Sequence, residues 1–164
     1  MVTFKNNPVN LYGKFPKIGE YAPSFIAIDR EMKELTLNDF SNKIKIISSV
    51  PSLDTPVCSI ETKKIDELMS SFSDDYVFIT ISMDLPFAQN RWCGANSIKK
   101  VITLSDYKYR SFGINYGVYI IELGLLARSI FIIDRENKIR YIQLVGEITN
   151  EPDYSQIEKA LKEI

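Results

Sequence analysis

Lys43–Phe72 reads KIKIISSVPSLDTPVCSIETKKIDELMSSF. Its opening run, Lys43–Val50, is apolar and β-branched, the composition of a central strand in a buried sheet. Its closing part, residues 59–72, sets Ile65, Leu68, Met69 and Phe72 at i, i+3, i+4, i+7 with charges between them, the period of an amphipathic helix. Between the two lies PSLDTPVC, Pro51–Cys58, where strand gives way to helix and where one of only two cysteines stands.

Thr55 is placed to cap that helix, and Pro56 to take its first position, where a missing N–H costs nothing. Cys58 then falls at the third position of the first turn, where a capping box would carry Glu or Gln. Free backbone N–H groups and the positive end of the helix dipole favour a thiolate there. The dipole contributes only ~0.3–1 kcal/mol, so a strongly ionised thiol needs a further cation, an arginine. Cys93 is the reverse case. It ends PFAQNRWC, expected as a short helix closed by Gly94, and at a helix C-terminus the dipole disfavours an anion. The division of labour is that Cys58 attacks while Cys93 stays a thiol until needed. The structural alternative for either residue is a small buried apolar side chain.

Working outward, Val9–Gly13 reads as a strand of an N-terminal hairpin, with Pro16–Pro23 as its connecting loop. Ser24–Asp29 reads as a strand, and LTLNDF as a helical turn. Tyr76–Met83 is a second buried strand and Val101–Ser105 a short one. Ser129–Asp134 and Lys138–Val145 flank Arg135–Asn137, a hairpin. Asp153–Ile164 is a terminal helix with Pro152 near its start. Strand–helix–strand alternation followed by a hairpin and a helix indicates an α/β fold around a central mixed β-sheet flanked by helices, the thioredoxin-like layout. At 164 residues with no repeat or linker, one domain spanning 1–164 is expected.

Composition removes many function classes. The chain has no histidine, which excludes Ser/His and Cys/His nucleophilic pairs, histidine-ligated haem and most catalytic zinc sites. Two cysteines cannot build a four-cysteine zinc site, and without CxxC the usual dithiol redox motif is missing. A nucleophile that needs no base because it is already ionised remains, and a thiolate is one. The formal net charge of −1, with no long run of either sign, argues against nucleic acid or an anionic membrane as partner. No apolar stretch reaches the ~18–20 residues of a membrane span, and MVTFKNNPVNLYGKFP lacks a signal peptide's apolar segment, so the expected location is cytoplasmic.

PSLDTPVC contains P-x-x-x-T-x-x-C, and with SMDLPFAQNRWCG downstream it resembles the bacterial thiol peroxidases, the atypical two-cysteine branch of the peroxiredoxins. VITLSD, FGINYGV, GLLAR and QLVGEITNEPDY extend the likeness along essentially the whole chain. The resemblance implies a thioredoxin-like fold and the reduction of hydrogen peroxide and alkyl hydroperoxides without a cofactor. It implies that Cys58 is the peroxidatic and Cys93 the resolving cysteine, joined by an intramolecular disulfide during turnover. Thr55 would hydrogen-bond the thiolate and the peroxide, Pro51 would shield the pocket, and Arg128 would supply the cation. Thioredoxin as reductant and a homodimer are implied in the same way. Two features depart from the family pattern. The segment from Val118 to Gly124 is short, with YIIEL in place of an Asp-Gly-Pro-like turn, and Gly146 replaces a larger residue. Other readings of the same cysteines are a peroxide-sensing relay, a disulfide reductase and a non-catalytic module.

Overall fold

The computed structural model describes residues Met1–Ile164. In chain order the elements are β1 (Val2–Phe4), β2 (Asn7–Val9), β3 (Leu11–Tyr12), β4 (Ile26–Ile28), β5 (Glu34–Thr36), a 3-10 turn (Leu37–Phe40), β6 (Ile44–Ser49), α1 (Pro56–Met69), β7 (Tyr76–Ser82), α2 (Pro86–Asn96), β8 (Val101–Ser105), α3 (Ser111–Asn115), β9 (Tyr119–Ile120), β10 (Leu125–Leu126), β11 (Ser129–Ile133), β12 (Ile139–Leu144) and α4 (Tyr154–Lys162). The main sheet runs β12-β11-β6-β7-β8-β4-β5. Strands β6, β7 and β8 are parallel, and their outer neighbours pair antiparallel. This is the thioredoxin-like mixed sheet that the element order implied.

Strand β6 is buried along its whole length, because helices cover one face and other chain the opposite one. On the helical face Ile44, Ile46, Phe78, Ile130 and Ile132 pack against Ile65 and Met69 of α1 and Ile157 and Leu161 of α4. On the other face Ile47, Ile79, Ile81, Leu104 and Phe131 lie in one cluster with Phe112 and Tyr116 from α3 and its end. Burying each such side chain stabilises the fold by about 1.5–3 kcal/mol before conformational entropy is set against it. Toward the carboxyl ends of the parallel strands the helical face turns polar. Ser48, Thr80 and Thr103 stand side by side in register across β6, β7 and β8. The loops leaving β6 and β7 at that end carry the two cysteine-bearing helices, the edge where open α/β sheets place their sites.

The structure corrects four sequence expectations. The N-terminal hairpin is β1–β2, not a strand at Val9–Gly13 closed by Pro16–Pro23. It turns at Lys5 and Asn6, whose φ of 51° and 63° give the left-handed pair that a tight two-residue hairpin needs. Leu11 and Tyr12 instead join β9 and β10 in a small separate sheet. The Pro16–Pro23 segment docks on the distant β11–β12 hairpin, with Ala22 N donating to Asn137 O at 2.8 Å. The second helix does not close at Gly94. It runs to Asn96 and ends at Ser97, whose φ of 54° supplies the left-handed cap, with Ile98 N donating to the Cys93 carbonyl at 3.3 Å. The first helix stops at Met69, and Phe72 lies beyond it, edge-on to Tyr76 at 4.9 Å between centroids. The strand expected at Ser24–Asp29 is confined to Ile26–Ile28 and turns back into β5.

Candidate active site

Thr55 caps α1 by its extended backbone, φ −91° and ψ 146°, and Pro56 opens the helix. The expected side-chain cap is not made: Thr55 Oγ1 donates backward to the Ser52 carbonyl at 2.9 Å. That bond closes the loop on itself and uses the hydroxyl's only proton, so Thr55 presents acceptor lone pairs. Pro51 is buried at the loop's start and Thr55 half-buried at its end. Cys58, at the third helical position, is 0% exposed.

Arg128 reaches Cys58 from the start of β11. Its Nη2 donates to Cys58 Sγ at 3.2 Å, its Nε to the Ile148 carbonyl at 2.9 Å, and its Nη1 to Glu61 Oε2. A guanidinium with 1% exposure is thus held by all three of its nitrogens. Burial works against its charge, but Glu61 and Cys58 outweigh it and raise its pKa. Glu61 is itself 0% exposed and takes Ser48 Oγ at 2.6 Å on its other oxygen. Burial pushes the Glu61 carboxyl up from the usual carboxylate range, and Arg128 and Ser48 pull it back. Arg128 keeps its charge, because the guanidinium cannot give up its proton, and every polar atom of both heads has a partner.

Cys93 lies in the last turns of α2, buried, with its Sγ 3.6 Å from Thr103 Oγ1. Cys58 and Cys93 are both free thiols. They belong to one small apolar cluster with Val50, Leu53 and Trp92, set apart from the two main cores. Arg128 and Glu61 meet Cys58 beside β6, while Cys93 rests on β8. Each cysteine sits within a formed helix, Cys58 in α1 and Cys93 in α2.

The sequence model of the Redoxin family matches residues 17–161. The thiol peroxidase of Staphylococcus epidermidis is 48% identical over 163 residues, covering 99% of this chain and 98% of that protein. The thiol peroxidase of Bacillus subtilis is 48% identical over 161 residues, covering 98% and 96%. This chain belongs to the thiol peroxidase branch of the redoxin family. Among solved structures, a peroxiredoxin-like protein from Aquifex aeolicus superimposes with a TM-score of 0.92 at 42% identity, covering 99% of this chain and 96% of that one.

Within this redoxin, the short YIIEL segment still forms a hairpin. Strands β9 and β10 pair, and Gly124 takes a φ of 63° to turn between them. Ala127 N then donates to Val118 O at 2.8 Å, which fixes where Arg128 begins. Gly146 lies outside the left-handed region, and a Cβ added there would meet only Met1 O, at 3.9 Å, so a larger residue would fit there too. Sequence reasoning missed Glu61, Ser48 and the Ile148 carbonyl. Glu61 did leave a signal: it stands three residues after Cys58 and four before Ile65, on the helix's buried stripe, where a lone carboxylate needs a cation. Ser48 and Ile148 left none, since a serine in a strand and a backbone oxygen carry no local mark of what they will face.

Proposed function

We propose that this chain is a peroxidase that reduces hydrogen peroxide and organic hydroperoxides by way of Cys58. The observation that carries this reading is the Arg128 Nη2 contact to Cys58 Sγ, 3.2 Å long and sealed from water. A buried guanidinium stabilises a thiolate, and its position beside the sulfur lets it stabilise charge developing on the departing oxygen as the O–O bond stretches. The Cys58 thiolate attacks the terminal peroxide oxygen. The S–O bond forms, the O–O bond breaks, and the leaving oxygen takes from solvent a proton equivalent to the one the Cys58 thiol released on ionising, departing as water or alcohol. Thr55 receives the peroxide O–H, for which its free lone pairs suit it, and Pro51 keeps water out.

Cys58 is then a sulfenic acid. The Cys93 thiol attacks its sulfur, forming the Cys58–Cys93 disulfide and releasing water. An external dithiol restores both thiols by exchange. We infer that thioredoxin supplies it, that the protein works in the cytoplasm as a single domain, and that it forms a homodimer. No helix is long and apolar enough to cross a membrane. A reaction centre of this kind favours turnover over the relay reading of the same cysteines.

The test is peroxide consumption with thioredoxin and its reductase by wild type, Cys58→Ser and Cys93→Ser. Wild type should turn over. Cys58→Ser should be inactive, because serine has no comparable anion at neutral pH. Cys93→Ser should react once and stop at the sulfenic acid. Appreciable turnover by the Cys58 variant would sink the assignment.

A further inference from the structure

The loop that covers Cys58 is held from outside by a residue that the cycle above does not use. Asp84 follows β7 and stands two residues before α2, half-buried. Its Oδ1 accepts from Ser52 Oγ at 2.6 Å, and its Oδ2 accepts from Leu53 N at 2.8 Å and from Ser82 Oγ at 2.7 Å. Its backbone is pinned as well, since its carbonyl accepts from Ser105 Oγ. Asp84 is therefore fixed to the sheet and in turn fixes Ser52 and Leu53.

Ser52 is also the anchor of Thr55. Its carbonyl takes both Thr55 Oγ1, at 2.9 Å, and Thr55 N, at 3.1 Å. The chain of contacts thus runs from the sheet through Asp84 to Ser52 and on to the hydroxyl of Thr55, three residues before Cys58. An aspartate accepting several donors is a rigid fixture, because charge-assisted hydrogen bonds are roughly twice as strong as neutral ones. Asparagine weakens it: with its NH2 turned to Ser52, that hydroxyl must reverse and accept, and the bonds lose the assistance of the carboxylate charge.

We propose that Asp84 is a positioning residue for peroxide attack: through Ser52 it sets the Thr55 hydroxyl as the acceptor that aligns the incoming hydroperoxide. The inference rests on the peroxidase reading of Cys58. Asp84 touches neither thiol nor peroxide, and its effect is on alignment and not on the ionisation of Cys58, which Arg128 serves. Misplacing a reacting group by about 1 Å costs on the order of 100-fold, and a loosened loop that samples the right geometry part of the time costs less, about tenfold.

The experiment measures two reactions of Cys58 in a Cys93→Ser background. One is the stopped-flow rate with hydrogen peroxide, which needs Thr55. The other is the rate of alkylation by iodoacetamide, which needs only a reachable thiolate. Asp84→Asn should lower the peroxide rate about tenfold with alkylation no slower. Ser52→Ala, a milder change that keeps Asp84, should lower the peroxide rate in the same direction. Thr55→Val should slow the parent strongly, and by a clearly smaller factor once Asp84→Asn is present. A peroxide rate within twofold of the parent, or a parallel fall in both reactions, would overturn the proposal. Full additivity of Asp84→Asn and Thr55→Val would do the same. If the parent itself fails to react with peroxide while alkylating normally, the peroxidase reading is what has failed.

Discussion

Replacing Arg128 with methionine removes the one cation in contact with Cys58 and keeps the apolar length of the side chain. A hydrogen bond to a charged group contributes about 1.5–3 kcal/mol, and the structure places one such bond on Cys58 Sγ, at 3.2 Å and away from solvent. The helix terminus that remains supplies only ~0.3–1 kcal/mol. The rate constant for peroxide should therefore fall about 10- to 100-fold near pH 7. Trp92, the chain's only tryptophan, lies in the Cys58–Cys93 cluster, so its fluorescence follows the reaction in stopped flow. The same change strands Glu61. Removing one member of a buried ion pair costs about 3–5 kcal/mol when the other stays charged. Burial already pushes the Glu61 carboxyl up, so in the variant it takes a proton instead. With the folded pKa raised above the unfolded value, this destabilisation is absent below about pH 4 and grows as pH rises. Glu61→Gln added to Arg128→Met should remove most of that pH dependence in urea denaturation. A peroxide rate within threefold of the parent, or a stability loss that ignores both pH and Glu61→Gln, would refute the reasoning.

Disulfide formation should unwind helix near both cysteines, so amide exchange across residues 55–62 and 86–94 should be faster in the oxidised protein; equal protection in the two forms would mean that no unwinding is needed. One equivalent of peroxide should change Trp92 emission reversibly with thioredoxin, and a fixed spectrum while free thiols fall from two to none would show that the end of α2 stays put. Asp106 is buried, and desolvation pushes its carboxyl up to about 6 although Phe112 N and Gly113 N donate to it. Its contribution to stability is full below about pH 4 and lost as pH rises through about 6, a swing of about 3 kcal/mol, which Asp106→Asn should flatten in denaturation curves taken between those values. Glu147 runs the other way: hydrogen bonds from Thr149, Asn6 and Thr3 lower it to about 2, so its contribution is present above about pH 4 and lost as pH falls toward 2, and Glu147→Gln should abolish that acid-limb slope.

The features legible in the chain alone are local ones. The apolar run at Lys43–Val50 and the helical stripe from Ile65 announce β6 and α1, because hydrophobic period is written along the chain. Thr55 and Pro56 mark where α1 begins, and that puts Cys58 in the first turn whatever the rest of the fold does. Even local reading has limits. The turn at Lys5–Asn6 carries no glycine to announce it, and Gly94 suggests a helix end although a glycine with helical neighbours can stay helical. Which distant groups face one another is settled only when the sheet assembles. Strand β11 pairs antiparallel with β6, with Ser129 opposite Ser49. Arg128, one residue before, therefore arrives beside the loop that leads to Cys58, seventy positions away in sequence. Parallel β6 and β7 bring their carboxyl ends together, and that sets Asp84 against Ser52 and Leu53. Register and strand order are properties of the whole sheet, fixed by how its two faces are buried, and no stretch of the chain records them alone.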